Sequence, residues 1–331
     1  MVRFAVLGCG RIGRMHARNI KAHPRAELVA CYDVVGDAAR ATAAELGAKA
    51  AGSVEEVLAD PAVQAVLIAS STDTHVDLLT RAAKAKKAVL CEKPIDLDIG
   101  RVEACWAEIG KLQPLVMLGF NRRFDPSFKA LRDRVQAGEI GKLEQVIITS
   151  RDPAPAPAEY LKASGGLFRD MTIHDFDMAR FLLGEEPTKV SAHASVLVDK
   201  EIGKAGDFDS VSVILETASG KQCIITNSRR ATYGYDQRIE VHGSKGMVAA
   251  ENQRAVSIEV ANGSGYTRPP LHDFFMTRYT EAYANEIASF IGAMTKGKKA
   301  SPSGKDGLAA LVLADAALKS ATEGKTVTLG G

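Results

Sequence analysis

Apolar and polar positions come in alternating blocks along the first 120 residues. Short apolar runs at 4–7, 28–31, 65–69, 88–91 and 115–119 are separated by stretches with helical periodicity at about 11–22, 37–46, 53–59, 74–85 and 98–111. Unbroken apolar runs of this length suit strands buried on both faces, with the intervening helices as the cover. The pattern predicts a doubly wound parallel sheet. Ser53 and Glu56 read as a capping box, and Thr74 and Asp98 as helix starts. Trp106 falls inside an amphipathic helical stretch and reads as packing.

Beyond residue 120 the grammar changes. A helix at 126–136 leads to a strand at 143–150, a loop, and a helix at 172–183. Strands then crowd together at 189–197, 210–216, 221–228, 238–243, 246–251 and 255–260. Turns such as Ser219-Gly220 and Ser244-Lys245-Gly246 join neighbours in the manner of hairpins. Helices at 275–295 and 308–323 follow, then a short strand at 326–329. This half is expected to be α+β with a mainly antiparallel sheet. The expected domains are 1–120 and 121–331, the C-terminal helix being a candidate to pack back on the first.

A chain of 331 residues is too long for one typical core. Its composition, 46% hydrophobic and 25% charged, is that of a globular protein, and the net charge of +2 gives no pull toward nucleic acid or an anionic membrane. No apolar run approaches the ~20 residues that span a bilayer. The start, MVRFAVLGCG, does not read as a signal peptide. The five cysteines (9, 31, 91, 105 and 223) are scattered, with no Cys/His set at zinc spacing, so no metal is expected. Cys9, Cys31 and Cys91, beside predicted strands, read as small buried residues, and the scattered set suits a reducing, cytoplasmic setting.

The candidate chemistry begins at once. In FAVLGCGRIG, Gly8, Gly10 and Gly13 have G-x-G-x-x-G spacing between an apolar run and a helix. Gly8 allows a tight turn, Gly10 lets a pyrophosphate approach the backbone, and Gly13 lets the helix pack close to the strand. Arg11 and Ile12 would lie at the helix N-terminus that receives the phosphates. Asp33 ends the second apolar run, about 20 residues past the last glycine, where its carboxylate would accept the ribose hydroxyls. It would also repel a 2′-phosphate, which favours NAD over NADP. The plainer reading is an ordinary turn aspartate.

In an open parallel sheet the ligand lies beyond the carboxyl ends of the strands. Three apolar runs end there in polar sequence: ASSTDTH (69–75), CEKPID (91–96) and GFNRRFD (119–125). Lys93 is confined by Pro94 to extended conformations and can donate to an alcohol oxygen. On spacing alone it reads equally well as a surface lysine paired to Glu92. In GGLFRDMTIHDFDMARFLLG (165–184), Asp170 and His174 are four apart, one helical turn on one face. A carboxylate beside an imidazole suits a general base for an alcohol proton. The plainer reading is a helix cap beside a surface histidine. Asp177 could share that face, whereas Asp175 points elsewhere. Gly165-Gly166 suggests backbone close to a ligand or to another element.

Taken together and in order, GCGRIGRMH, CEKPIDLD, GFNRRFDPSF, ITSRDPAPAP, GGLFRDMTIHDFDMARFLLG and ATYGYDQRIEVHGSKGM resemble the glucose–fructose oxidoreductase/inositol dehydrogenase/rhizopine-catabolism (Gfo/Idh/MocA) family over almost the whole length. The resemblance implies a Rossmann NAD-binding domain and a second domain with a large open sheet, one face toward the substrate site and the other building a homotetramer. It implies NAD-dependent oxidation of a cyclic polyol, myo-inositol before other isomers, aldoses or sugar acids. A non-catalytic NAD-dependent sensor is the alternative of another class. The catalytic residues it implies are Lys93, Asp170 and His174. Asn121, Arg123, Asp152 and Tyr235 would hold the polyol together with them, and Ser70, Ser71, His75, Glu92 and Lys93 would border the cofactor. It also implies a cis peptide before Pro94. One departure stands out: Ser70 and Ser71 replace a usual Thr-Pro at the end of the third strand.

Overall fold

The structure, a computed structural model, describes residues 1–330, with the side chains of residues 158, 159 and 162 outside the description. The chain divides into two compact units. The first comprises Met1–Phe124 and Glu281–Leu311, the second Asp125–Thr280 and Val312–Gly331.

In the first unit, β1 (Val2–Leu7), α1 (Arg11–Ala22), β2 (Ala26–Tyr32), α2 (Gly36–Leu46), β3 (Lys49–Ala50), α3 (Val54–Ala59), β4 (Ala65–Ile68), α4 (His75–Lys84), β5 (Ala88–Cys91), α5 (Ile99–Ile109) and β6 (Val116–Leu118) follow one another. The six strands form one parallel sheet in the order β3-β2-β1-β4-β5-β6. Every residue of β4 is buried, the signature of a strand covered on both faces. The edge strand β3 has only two exposed residues and no apolar run to announce it. The Ser53 hydroxyl accepts the Glu56 N–H at 3.1 Å, a cap of the kind worth about 1 kcal/mol. The returning Glu56 carboxylate takes the N–H of Gly52 rather than that of Ser53. Asp98 caps α5 through the Arg101 N–H. Thr74 makes no such cap, because its hydroxyl is bonded to Ser70 and to the Ser71 carbonyl. The Trp106 ring packs against Gly304, where any side chain would overlap it.

The second unit opens with α6 (Pro126–Gln136), β7 (Leu143–Arg151), α7 (Ala158–Ala163), a π-helical turn at Phe168–Thr172, and α8 (Ile173–Leu183). It continues with β8 (Pro187–Ser195), α9 (Lys200–Lys204), β9 (Ser210–Thr217), β10 (Gln222–Ser228), β11 (Asp236–Gly243) and β12 (Gly246–Ala250). A small hairpin, β13 (Val260–Asn262) and β14 (Gly265–Thr267), precedes α10 (Phe275–Arg278), α11 (Thr280–Lys296), α12 (Gly304–Glu323) and β15 (Val327–Thr328). The main sheet runs β12-β11-β7-β10-β9-β8-β15 and is antiparallel except for the β7–β10 pair. Strict alternation in β9, with Val211, Val213 and Leu215 buried and Ser212 and Ile214 exposed, shows one covered face and one open face. On the covered side α8 packs on β7 and β10, and α6 on β12.

Three expectations need correction. Residues 255–260 do not form a strand of the sheet; Val256 and Ile258 are exposed, and only Val260–Asn262 pairs, with β14. Apolar alternation there meets no face to be buried against. The helix expected at 275–295 is broken at Tyr279, which leaves helical geometry (φ −112°, ψ 21°) and buries its ring beside Phe128 and Tyr235. The last helix starts at Gly304, four residues before the expected start at 308, because the Asp306 carboxylate accepts the N–H and hydroxyl of Ser303.

Although they follow the second unit's strands along the chain, α11 from Glu281 onward and α12 as far as Leu311 belong to the first unit. Ile287, Phe290 and Ile291 supply an i, i+3, i+4 stripe that joins a core containing Phe4, Val6, Leu28 and Leu67, with the Phe4 and Phe290 ring centres 5.8 Å apart. Among the described residues no helix is long and apolar enough to cross a membrane.

Candidate active site

The glycine loop joins β1 to α1 at the carboxyl edge of the parallel sheet. Gly8 has φ +98°, and a Cβ there would lie 2.5 Å from the backbone of Ala69 and Ser70. A Cβ on Gly13 would lie 1.8 Å from the Gly8 carbonyl oxygen. Both glycines are required by the protein's own packing. Gly10 is different: a Cβ there meets nothing within 4 Å, so the space above it is kept clear of protein. Gly10 is also the N-cap of α1, without a side-chain cap or an acidic residue in the first turn. Uncapped N–H groups under an open approach are what a pyrophosphate needs, with Arg11 and Ile12 in the same turn.

Asp33 follows β2 and faces this loop. One carboxylate oxygen accepts the Cys9 N–H at 2.6 Å and the other the Val35 N–H at 2.8 Å. Each oxygen keeps a further lone pair for a ribose hydroxyl. A cleft of about 340 Å³ beside it is lined by Tyr32, Asp33, Val34, Gly36, Arg40 and Ala51, among others. Arg40 escaped the sequence reading because it lies seven residues on, in α2, where the fold returns it to the cleft. Its guanidinium is paired to Asp37 at 2.5 Å.

Ser70 and Ser71 hold their loop without the proline. The Ser70 and Thr74 hydroxyls are 2.6 Å apart, and the Thr74 hydroxyl also donates to the Ser71 carbonyl at 2.7 Å. His75 is buried. Its Nδ1 lies 2.8 Å from the Pro94 carbonyl and its Nε2 3.1 Å from the Ser70 carbonyl. It thus ties the β4 turn to the β5 turn, a bracing position. Burial pushes its pKa down, although the two carbonyls oppose this.

At the end of β5, one Glu92 oxygen lies 2.7 Å from His16 Nε2 and the other accepts the Lys93 N–H at 3.2 Å. The Lys93–Pro94 peptide is cis, as the resemblance implies. Gly119, just after β6, leaves room for Glu92; a Cβ there would lie 2.8 Å from its carboxylate. Asn121 and Arg123 lie in a 3-10 turn after β6, both buried. Arg123 reaches Asp306 at 3.0 Å and Ser301 at 3.4 Å, partners within its own unit.

The second unit carries Asp152, Asp170, His174 and Tyr235. Asp152 follows β7, with its N–H on the Ser228 carbonyl. Asp170 lies in the π turn and His174 in the first turn of α8, so a change of helical pitch separates them, not one regular turn. One Asp170 oxygen accepts the Tyr160 hydroxyl at 2.7 Å, and the other is 3.2 Å from the buried Arg229 guanidinium. Burial of the hydroxyl end, then the Asp170 charge, push the Tyr160 phenol well up, although half of the residue's surface is exposed. Tyr160 and Arg229 were missed: they come from α7 and from the residue after β10, and no spacing rule links them to Asp170. Asp175 points away into the sheet, accepting from Ser150 at 2.7 Å and Asn227 at 2.8 Å. Gly165 and Gly166 both have positive φ, and Gly166 passes close to Asp207. The Tyr235 ring is packed edge-on against Phe274 and Tyr279.

A doubly wound sheet with a glycine loop left open above Gly10 and an acid just after its second strand, on one chain with a second unit bearing carboxylate and imidazole groups, is the architecture of a dinucleotide-dependent oxidoreductase. Residues 2–120 match the model of an oxidoreductase family with an NAD-binding Rossmann fold, and residues 128–249 that of the GFO/IDH/MocA C-terminal domain. The inositol 2-dehydrogenase of Rhizobium meliloti (strain 1021) is 62% identical over 328 residues, 99% of each chain. The crystal structure of a myo-inositol dehydrogenase from Corynebacterium glutamicum superposes with a TM-score of 0.97 at 48% identity, covering 100% of this chain and 99% of that one. A scyllo-inositol dehydrogenase from Lactobacillus casei, solved with NAD(H) and scyllo-inositol bound, has a TM-score of 0.92 at 29% identity over 99% of each chain. The chain belongs to the GFO/IDH/MocA family of NAD-dependent oxidoreductases.

Proposed function

We propose that this enzyme oxidises myo-inositol at the 2-position to 2-keto-myo-inositol, with NAD as the acceptor. The observation that carries the choice of substrate is the 62% identity, over essentially all of both chains, with the Rhizobium inositol 2-dehydrogenase. Gly10, Arg11, Ile12 and Asp33 would hold the cofactor, which would supply the hydride acceptor. His174 takes the hydroxyl proton as the hydride leaves the carbon bearing that hydroxyl, the two losses together giving the ketone, and Asp170 supports the positive charge created on the imidazole. Lys93 donates to the alcohol oxygen and stabilises its growing negative charge. Asp152, Asn121, Arg123 and Tyr235 meet the remaining hydroxyls. A neutral ring of hydroxyls is recognised through many such pairs, and each missing partner is costly.

A second reading, scyllo-inositol as the preferred isomer, is favoured by the bound ligand of the Lactobacillus relative. The test is a panel of inositol isomers, aldoses and sugar acids with NAD and with NADP, followed through the absorbance of the reduced cofactor. The highest kcat/KM is expected for myo-inositol with NAD. Faster turnover of an aldose or sugar acid would overturn the assignment, and no turnover at all would point to a sensor.

Self-association into a homotetramer through the open sheet face belongs to the same reading. Ile147, Ile224 and Ile214 lie side by side on β7, β10 and β9, and form an apolar row across that face. Light scattering on an Ile214→Glu variant tests it: a shift to smaller species is expected, and an unchanged mass would exclude this face. Five free, buried cysteines support a reducing compartment, the cytoplasm.

A further inference from the structure

His16, Glu92 and Glu286 meet inside the first unit, and the reaction outlined above leaves Glu286 without a task. Glu286 comes from α11 and is fully buried, and among the described residues neither of its carboxylate oxygens has a hydrogen-bond partner. His16, on α1, is 1% exposed. Its Nε2 lies 2.7 Å from Glu92 and 4.0 Å from Glu286, and its ring stands edge-on against Tyr283, one turn before Glu286 on α11. The ligand atoms of His16, Glu92 and Glu286 all fall within 4.8 Å of one another, a spread that one bridging water spans.

Two carboxylates and one imidazole in a buried space call for a cation or a proton. A tetrahedral metal with bonds near 2.0–2.1 Å would hold its ligands roughly 3.3 Å apart. The 2.7 Å contact between His16 and Glu92 is instead a direct hydrogen bond. Burial, and secondarily the charge of Glu92, push the Glu286 carboxyl well above the ordinary carboxylate range. A neutral Glu286 is a donor, and a donor is what the pair beside it can use.

We propose that Glu286 is a positioning residue: across the short gap that one water spans, it donates toward the Glu92 carboxylate that His16 also holds, and so fixes the group that grips the backbone of Lys93. The inference rests on the role given to Lys93 above, and deepens it. His16 sets one Glu92 oxygen, and the other oxygen takes the Lys93 N–H. A charged Glu286 would repel Glu92 and release that grip.

The test compares Glu286→Gln, which keeps a donor, with Glu286→Leu, which removes it. Glu286→Gln should keep kcat within about threefold of the parent; Glu286→Leu should lose roughly tenfold or more in kcat, with NAD affinity and substrate KM little changed. Infrared difference spectra should contain a protonated carboxylic acid band at neutral pH that both variants lack. Absence of that band in the parent, equal damage from both variants, or full kcat in Glu286→Leu would overturn the proposal. So would a stoichiometric divalent metal in the purified protein that Glu286→Gln loses. A parent that turns over no polyol refutes the substrate reading alone, because the infrared band still reports on the Glu286 proton.

Discussion

Tyr160 donates its hydroxyl to Asp170 at 2.7 Å, and the carboxylate is thereby held between a phenol and the Arg229 guanidinium. The phenol's raised pKa keeps the proton on Tyr160 at neutral pH, so the donor direction is fixed. Hydrogen bonds to charged groups are worth about 1.5–3 kcal/mol, and Arg229 retains part of the hold when one is lost. Tyr160→Phe is therefore expected to lower kcat roughly tenfold and leave NAD affinity unchanged, and Asp170→Asn to cost considerably more. Steady-state kinetics with parallel NAD titration checks both; full activity in Tyr160→Phe would reduce the contact to packing.

Lys93→Met and His174→Ala should both bind NAD within about threefold of the parent and lose roughly 10²–10⁴-fold in turnover, the range for removal of a positioned acid–base group. Fluorescence titration of the cofactor separates binding from chemistry. Near-normal rates in either variant would remove that residue from the reaction.

Asp33 accepts the Cys9 and Val35 N–H groups and is expected to accept the ribose hydroxyls as well. Asp33→Ala should weaken NAD by roughly ten- to a hundredfold, the worth of one or two bonds to a charged acceptor. NADP should suffer far less, because the same change removes repulsion of a 2′-phosphate and leaves Arg40 in the cleft. The measurement is the ratio of kcat/KM for the two cofactors. Equal losses would mean that the carboxylate only braces Cys9.

The loop glycines should separate cleanly. Gly13→Ala drives a methyl into the Gly8 carbonyl and should cost about 1–3 kcal/mol of stability, as overpacking does. Gly10→Ala meets open space at a backbone geometry (φ −68°) that any residue tolerates, and should leave Tm unchanged while NAD binding weakens roughly tenfold or more. Thermal melts with and without NAD distinguish them. A large Tm loss in Gly10→Ala would show that its glycine serves the fold.

His75 predicts an acid limb of stability. Its folded-state pKa lies below the ordinary 6.5, so between the two values the unfolded chain binds more protons. The stabilisation is complete above about pH 6.5 and is lost as pH falls toward the folded value, at no more than about 1.4 kcal/mol per pH unit. His75→Gln should be less stable at pH 8 and show a flatter decline from pH 6.5 to about pH 5. Denaturant melts across this range give the slope, and parallel curves for the two proteins would clear His75 of the effect.

The parallel unit was legible because each of its longer strands carries its own apolar run, and because the cofactor loop and Asp33 obey a local spacing. Other features depend on meetings that the chain does not foreshadow. The stripe Ile287, Phe290 and Ile291 announces a helix with an apolar face, but not that it completes the core around Phe4. Asp170 and Arg229 are 59 residues apart, and His16 and Glu92 are 76 apart. Residues 255–260 mislead for the converse reason: alternation describes a strand only where a neighbour offers hydrogen bonds and a surface to cover. Asp175 and Asp170 show the same logic within one segment. They are five residues apart, yet one is consumed by Ser150 and Asn227 inside the sheet and the other faces Tyr160 and Arg229.

The parallel pairing of β7 with β10 forbids a tight connection between them. The chain leaving Arg151 must make a long excursion before it comes back alongside, and Tyr160, Asp170 and His174 all ride on that detour. The ladder's alignment depends on main-chain bonding, not on the length of the detour. A change of length between Asp152 and Gly166 would therefore shift Tyr160 against Asp170 while leaving that ladder in place.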